Sequence, residues 1–200
     1  MQLSAEMKLS ELENRKPAES NSVETQSGTV KVVEFEERFQ RQVEELVLPI
    51  QTQEFGVKIT REEQPDLLDI KGTFQRGDGN FWVVLRQSDA GKSNDGSDGA
   101  NVIGTIGVVD IGNKQVALKK MFVRADARGK VSGIAQTLMD TAKEWCRSRG
   151  VVSIILGTTA QMFAAHRFYE KNGFVEQQKE QLPPNFPIVH VDTKFYRCDL

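Results

Sequence analysis

Apolar positions along the chain switch between a period of two and a period near 3.6, and that switching lays out the elements. Val30, Val32, Val33 and Phe35 make a first strand. Phe35, Phe39, Val43, Leu46, Val47 and Ile50 then recur at helical spacing, which predicts a helix running to about Pro49. A short helix is expected over 66–70, with Pro65 at its start. Phe81, Trp82, Val83, Val84 and Leu85 form a strand after the turn-forming run Gly77, Asp78, Gly79 and Asn80. A strand over 102–110 is turned by Gly112 and Asn113 into an antiparallel partner over 114–123. Ile134, Leu138, Met139, Ala142, Trp145 and Cys146 mark the buried face of a helix that opens near Gly133 and stops at Gly150. The apolar run 151–156 reads as a buried strand, and strand, helix, strand predicts a parallel pair with a right-handed crossover. A last helix follows Gly157, Thr158 and Thr159 and ends at Asn172 and Gly173. Two more strands are expected over 174–179 and 190–197, joined by the proline-rich stretch 182–187. The sum is an α/β fold with one mixed central sheet and helices on both faces, a three-layer α/β/α arrangement.

Composition bounds the rest. Two hundred residues with 38% apolar content suit one domain, assigned to 30–200, plus a polar N-terminal arm over 1–29 that is expected to be flexible. A net charge of −2 supplies no field to draw nucleic acid or an anionic membrane. No apolar run is long enough to span a bilayer, and no signal-peptide core is present. Cys146 and Cys198 make no disulfide framework and read as two reduced thiols, in keeping with a cytoplasmic location. Gly91, Lys92 and Ser93 lack the earlier glycine of a phosphate loop, because Arg86 stands there. Asp95 and Asp98 lack the twelve-residue calcium pattern, so no metal is expected and 87–100 reads as a hairpin loop.

Chemistry concentrates in 117–142. A strand runs into a loop holding Arg128, Gly129, Lys130, Val131 and Ser132, and the loop opens a helix. The first helical N–H groups lack intrahelical partners and sit at the positive end of the helix dipole, so this geometry suits a phosphate. Lys119, Lys120, Arg124, Arg128 and Lys130 crowd the segment. Val123, Arg128, Gly129 and Lys130, followed by Gly133, Ile134, Ala135, Leu138 and Met139, resemble the acetyl-coenzyme A signature of the GNAT superfamily of N-acetyltransferases. That signature runs Arg or Gln, two residues, Gly, one residue, Gly or Ala. Counted from Arg128, Val131 and Ser132 are a two-residue insertion. Counted from Lys130 the spacing fits, with Lys in place of Arg, so either residue is a candidate for the family's basic role. A second block, from Ala165 through His166, Tyr169, Glu170, Lys171 and Gly173 to Phe174, resembles the family's C-terminal A-x-x-x-Y-E-K-x-G-F motif. The resemblance covers roughly 32–200.

The resemblance implies an enzyme that moves an acetyl group from acetyl-coenzyme A to an amine of a small molecule or a protein by direct attack. A coenzyme A-binding sensor without turnover is the alternative. It implies cofactor contacts at Met121, Phe122, Val123, Arg128, Gly129, Lys130, Val131, Ser132, Gly133, Ile134 and Ala135, with a backbone amide of 121–123 facing the developing oxyanion. The family often places Asn seven residues before its tyrosine; Met162 stands there, and Thr158 or Thr159 is the candidate replacement. Tyr169 is the candidate catalytic acid for the departing thiolate, with ring packing as its other reading. His166 shares a helix face with Tyr169. Glu54, Asp69 and His190 all stay open as the base. The acceptor is expected between Gln51, Glu54 and Phe55 on one wall and Leu182, Asn185, Phe186 and Pro187 on the other.

Overall fold

In a computed structural model, which describes residues 22–25, 28–87, 99–129 and 131–200, eight strands build one sheet. They are β1 (Ser22–Thr25), β2 (Gly28–Glu34), β3 (Asn80–Gln87), β4 (Ala100–Asp110), β5 (Gln115–Val123), β6 (Ser153–Thr158), β7 (Val175–Gln177) and β8 (Lys194–Asp199). Their order across the sheet is β1-β2-β3-β4-β5-β6-β8-β7. The first five form an antiparallel meander, β5 and β6 are parallel, and β8 is antiparallel to both β6 and β7.

Alternation along β3 shows why the sheet carries two cores. Phe81 and Val83 point to one face, Trp82 and Val84 to the other, and all four are buried. On the first face lie α1 (Gln40–Pro49), α2 (Pro65–Leu68) and α3 (Ile70–Phe74), whose Val43, Leu46, Leu67 and Phe74 pack on Phe81, Val83 and Val102. On the second lie α4 (Ile134–Ser148) and α5 (Phe163–Lys171), whose Leu138, Met139, Ala142 and Tyr169 pack on Trp82, Val84, Val116 and Leu118. The expected three-layer arrangement is therefore the one observed.

Four differences from the sequence reading have physical reasons. The sheet begins at Ser22, inside the stretch assigned to a polar arm, because an edge strand needs only backbone pairing with β2. The first helix continues past Pro49 as one π-type turn, Ile50–Glu54. β6 starts at Ser153 because Val151 and Val152 are spent on the turn: Val151 N–H donates to Cys146 and Val152 N–H to Lys114. β8 starts at Lys194 because residues 189–192 fold into a turn closed by Asp192 N–H on Val189 C=O, 2.9 Å. The glycine-rich segment 88–98 lies outside the described residues.

Two irregularities in β5 shape the middle of the sheet. Pairing of β5 with β6 stops at Ala117↔Ile155, so the rest of β5 diverges and a gap opens between the parallel strands. Farther along, the register of β5 against β4 shifts between Thr105 and Gly107, with Lys120 held at φ +53°. Thr105 Oγ1 donates to Lys120 C=O at 2.7 Å and braces this bulge.

Candidate active site

The gap opens into a cavity of about 770 Å³. Its floor is the bulged part of β5, from Leu118 to Val123; β6 contributes Gly157 and Thr158, and α5 contributes Ala165, Phe168 and Tyr169. The π-type turn after α1 supplies Gln51 and, just past it, Phe55; the segment before β8 supplies Phe186 and residues 187–192. Sites far apart in sequence thus meet where two parallel strands separate.

The expected cofactor residues divide by position. Met121, Phe122, Val123, Arg128, Gly129, Ala135, Thr158 and Thr159 line the cavity. Gly133 caps α4 with φ +63°, and a Cβ there would meet nothing within 4 Å, so the backbone entering the helix lies open to a ligand. Ser132 Oγ donates to Gly129 C=O at 2.9 Å and fixes the loop's shape. Val131 projects into solvent, whereas Ile134 is buried in the core under α4. Lys130 lies outside the described residues. Thr158 Oγ1 reaches Met162 Sδ at 3.8 Å, while Thr159 Oγ1 is buried without a partner and is the polar group left for a ligand.

Arg128 is already engaged. Its guanidinium makes a two-pronged ion pair with Glu54, the Nη2–Oε2 arm at 2.8 Å; its Nε donates to Val123 C=O at 2.6 Å, and its charge lies over the Phe55 ring. The hydrogen bond from Arg128 holds the Glu54 carboxyl below its ordinary range. Glu54, considered from sequence as part of an acceptor wall or as a base, therefore ties the loop before α4 to the turn after α1. Phe55 and Phe186 do line the cavity. Phe186 also packs edge-on against Phe195 at 6.2 Å, so it serves wall and core together. Leu182 packs on that small core.

Tyr169 is buried, lines the cavity, and packs against Phe174 and Tyr196. Its hydroxyl makes no hydrogen bond among the described residues, so it is available to a ligand. Burial pushes the phenol well above its ordinary pKa, and the nearby Asp192 charge adds to this, so it is a donor and not a phenolate. His166 turns away: it is buried, and its Nε2 lies 2.9 Å from Thr159 C=O, so it braces the segment entering α5.

Sequence reasoning missed a charged cluster. Lys119 Nζ lies 2.8 Å and Lys120 Nζ 3.2 Å from the Asp66 carboxylate of α2, and Lys120 also donates to Gln64 Oε1 at 2.6 Å. Adjacent residues of a regular strand point to opposite faces, so only the bulge lets both lysines reach one carboxylate. Burial pushes Lys120 below the usual ammonium range against the pull of Asp66. Burial works to raise the Asp66 carboxyl, but the two lysines together hold it below its ordinary value. Also missed were Asp192, set in the turn before β8, and the role of Gln51 Oε1, buried and unpartnered. An Asp-Thr pair is a turn signal that could have found the first. No group of His, Cys, Asp and Glu among the described residues could hold a metal ion. No helix among them is long and apolar enough to cross a membrane.

Known proteins share this arrangement. The Acetyltransferase (GNAT) family model matches residues 44–174. The chain is similar to the crystal structure of an acetyltransferase of the GNAT family from Staphylococcus aureus Mu50, at 33% identity and a TM-score of 0.76, covering 86% of this chain and 99% of that one. It is similar to N-acetyltransferase family 8 member 2 of Rattus norvegicus, 27% identical over 116 residues, 56% of this chain and 45% of that protein. It is similar also to N-acetylaspartate synthetase of Xenopus tropicalis, 34% identical over 113 residues, 54% of this chain and 36% of that protein. The chain spans about half the length, or less, of these curated relatives.

Proposed function

Because the chain belongs to the GNAT family of acetyltransferases, we propose that it transfers the acetyl group of acetyl-coenzyme A directly to an amine acceptor, with no covalent enzyme intermediate. The observation that carries this reading is the cavity where β5 leaves β6, with a bulged strand as floor and the free hydroxyl of Tyr169 in its wall.

The residues present fit acetyl-coenzyme A as the co-substrate, which brings an activated thioester. The open backbone at Gly129 and at Gly133 and the first N–H groups of α4 suit its pyrophosphate. Arg128, fixed by Glu54, holds positive charge beside that loop without swinging free. Thr159 Oγ1 is an unmet polar group of the cavity lining, just before Tyr169's helix, suited to the amide-bearing arm. Backbone N–H groups of 121–123, aimed by the bulge, would stabilise the oxyanion. The Tyr169 hydroxyl would hydrogen-bond the departing sulfur and give it a proton; a positioned acid of this kind contributes on the order of 10²–10⁴-fold.

The acceptor enters between Gln51 and Phe55 on one side and Phe186 to His190 on the other, walls that mix rings with a few polar groups. The test is thiol release from acetyl-coenzyme A against a panel of amines, read beside a calorimetric titration with coenzyme A. Release that depends on an amine, matched by an acetylated product, is expected. Tight binding with no release for any amine would make the chain a coenzyme A sensor.

A further inference from the structure

Acetyl transfer needs a group that removes a proton from the acceptor's ammonium ion, and the inference that follows rests on the transferase reading. We propose that Asp192 is the catalytic base, taking that proton where β5 and β6 part.

Geometry singles out this carboxylate. Asp192 lines the cavity, and its Oδ2 accepts the Val189 N–H at 3.1 Å, which fixes the side chain within its own turn. The carboxylate lies against the β6 backbone just past the end of the β5 pairing: a Cβ on Gly157 would stand 2.4 Å from Oδ2. Only a residue without a side chain lets the acid approach there. Its Oδ1 has no hydrogen bond among the described residues and is left for a ligand.

Other carboxylates at the site are occupied. Asp66 is shared by two lysines, Glu54 is held by Arg128, and Glu63 is exposed and accepts the Thr60 N–H at 2.8 Å. The charged and titratable groups facing Asp192 are Lys119 and Lys120 from β5, His190 from its own turn and Tyr169 from α5. Burial raises the Asp192 carboxyl above its ordinary value, while the Val189 N–H and the three basic side chains limit the rise. A carboxylate so placed is a stronger base than a solvated one.

The protons balance. The ammonium gives one proton to Asp192, and the freed lone pair forms the N–C bond to the acetyl carbon. As the C–S bond breaks, the sulfur takes the Tyr169 hydroxyl proton, and the new amide nitrogen sheds its surplus proton to restore that hydroxyl. Asp192 then releases its proton to solvent.

The experiment compares the full chain with Asp192→Asn, whose amide oxygen can still accept the Val189 N–H. Thiol release from acetyl-coenzyme A is followed with two small probes: propylamine, almost wholly ammonium at neutral pH, and hydroxylamine, almost wholly neutral there. With propylamine the variant should lose about 10²–10⁴-fold in rate and lose the acid limb of the wild-type pH profile, while the hydroxylamine rate changes far less. Coenzyme A affinity by calorimetry should match wild type. Equal loss with both probes would make Asp192 a structural residue and overturn the proposal, as would no loss with either. Where neither probe releases thiol, an amine of the panel that does takes the place of propylamine; wild-type protein that binds coenzyme A but releases thiol with no amine at all would overturn the transferase reading itself, and this assignment with it.

Discussion

Two glycines at opposite ends of α4 offer a matched test of where the pyrophosphate binds. Gly133 precedes the helix with φ +63° and Gly150 follows it with φ +68°, and a Cβ on either meets nothing within 4 Å. Replacing either by Ala therefore changes folding through backbone conformation alone. A left-handed non-glycine residue costs roughly 1–2 kcal/mol. For a domain of this size that is a melting-temperature drop of about 2–8 °C, the same for both variants. Binding should separate them. The 15-residue helix and its flanking residues place the two glycines roughly 25 Å apart, and only Gly133 adjoins the loop that lines the cavity. A methyl group there occupies the space the phosphates need and displaces at least one N–H contact. A hydrogen bond to a charged group is worth about 1.5–3 kcal/mol, so coenzyme A affinity should fall about tenfold to a hundredfold for Gly133→Ala. Gly150→Ala should bind as wild type does. Isothermal calorimetry with coenzyme A, paired with thermal melts of each variant, reads both quantities. Equal affinities for the two variants, at equal melting temperatures, would refute the placement.

Three further outcomes are expected. Tyr169→Phe keeps the ring packing and should lower turnover about 10²–10⁴-fold with coenzyme A affinity unchanged, as steady-state kinetics and calorimetry would show; a rate close to wild type would return the residue to packing alone. Phe186→Ala should cost about 3–5 kcal/mol in a denaturant melt, because the ring is core as well as wall, and should also raise the Michaelis constant for the amine while coenzyme A binding is kept. Asp66→Asn leaves two lysines without their shared partner and should cost about 3–5 kcal/mol at neutral pH. Since the folded-state pKa of Asp66 is depressed, its contribution is present above the unfolded value of about 3.9 and is lost as pH falls through the folded one. The variant's stability should accordingly fall less steeply than wild type in that acid window.

The two hydrophobic periods sufficed for the layers, because each helix and strand here buries a stripe or face that its own sequence spells out. Leu138, Met139 and Ala142, or the alternating Phe81 to Val84, needed no tertiary information. The loop before α4 and the block ending at Phe174 were legible for the same local reason. What stayed hidden depends on backbone events that side chains do not announce. Nothing in two adjacent lysines reveals that Lys120 adopts φ +53° and that both turn to Asp66. The pairing of Arg128 with Glu54 joins residues 74 positions apart, and a charge pattern alone does not choose that partner. Asp192 was concealed inside an apparently continuous strand, since a side chain that caps its own turn interrupts the strand without glycine or proline.

The gap between β5 and β6 is the proposed seat of acetyl-coenzyme A. A crystal structure of the full chain with coenzyme A bound tests that most directly. The pyrophosphate is expected on the N–H groups from Gly129 to Ala135, the arm passing Thr159 between the diverging strands, and the sulfur within hydrogen-bond reach of the Tyr169 hydroxyl. Coenzyme A seated elsewhere, or with its sulfur pointing away from Tyr169 and the bulge at Lys120, would contradict it.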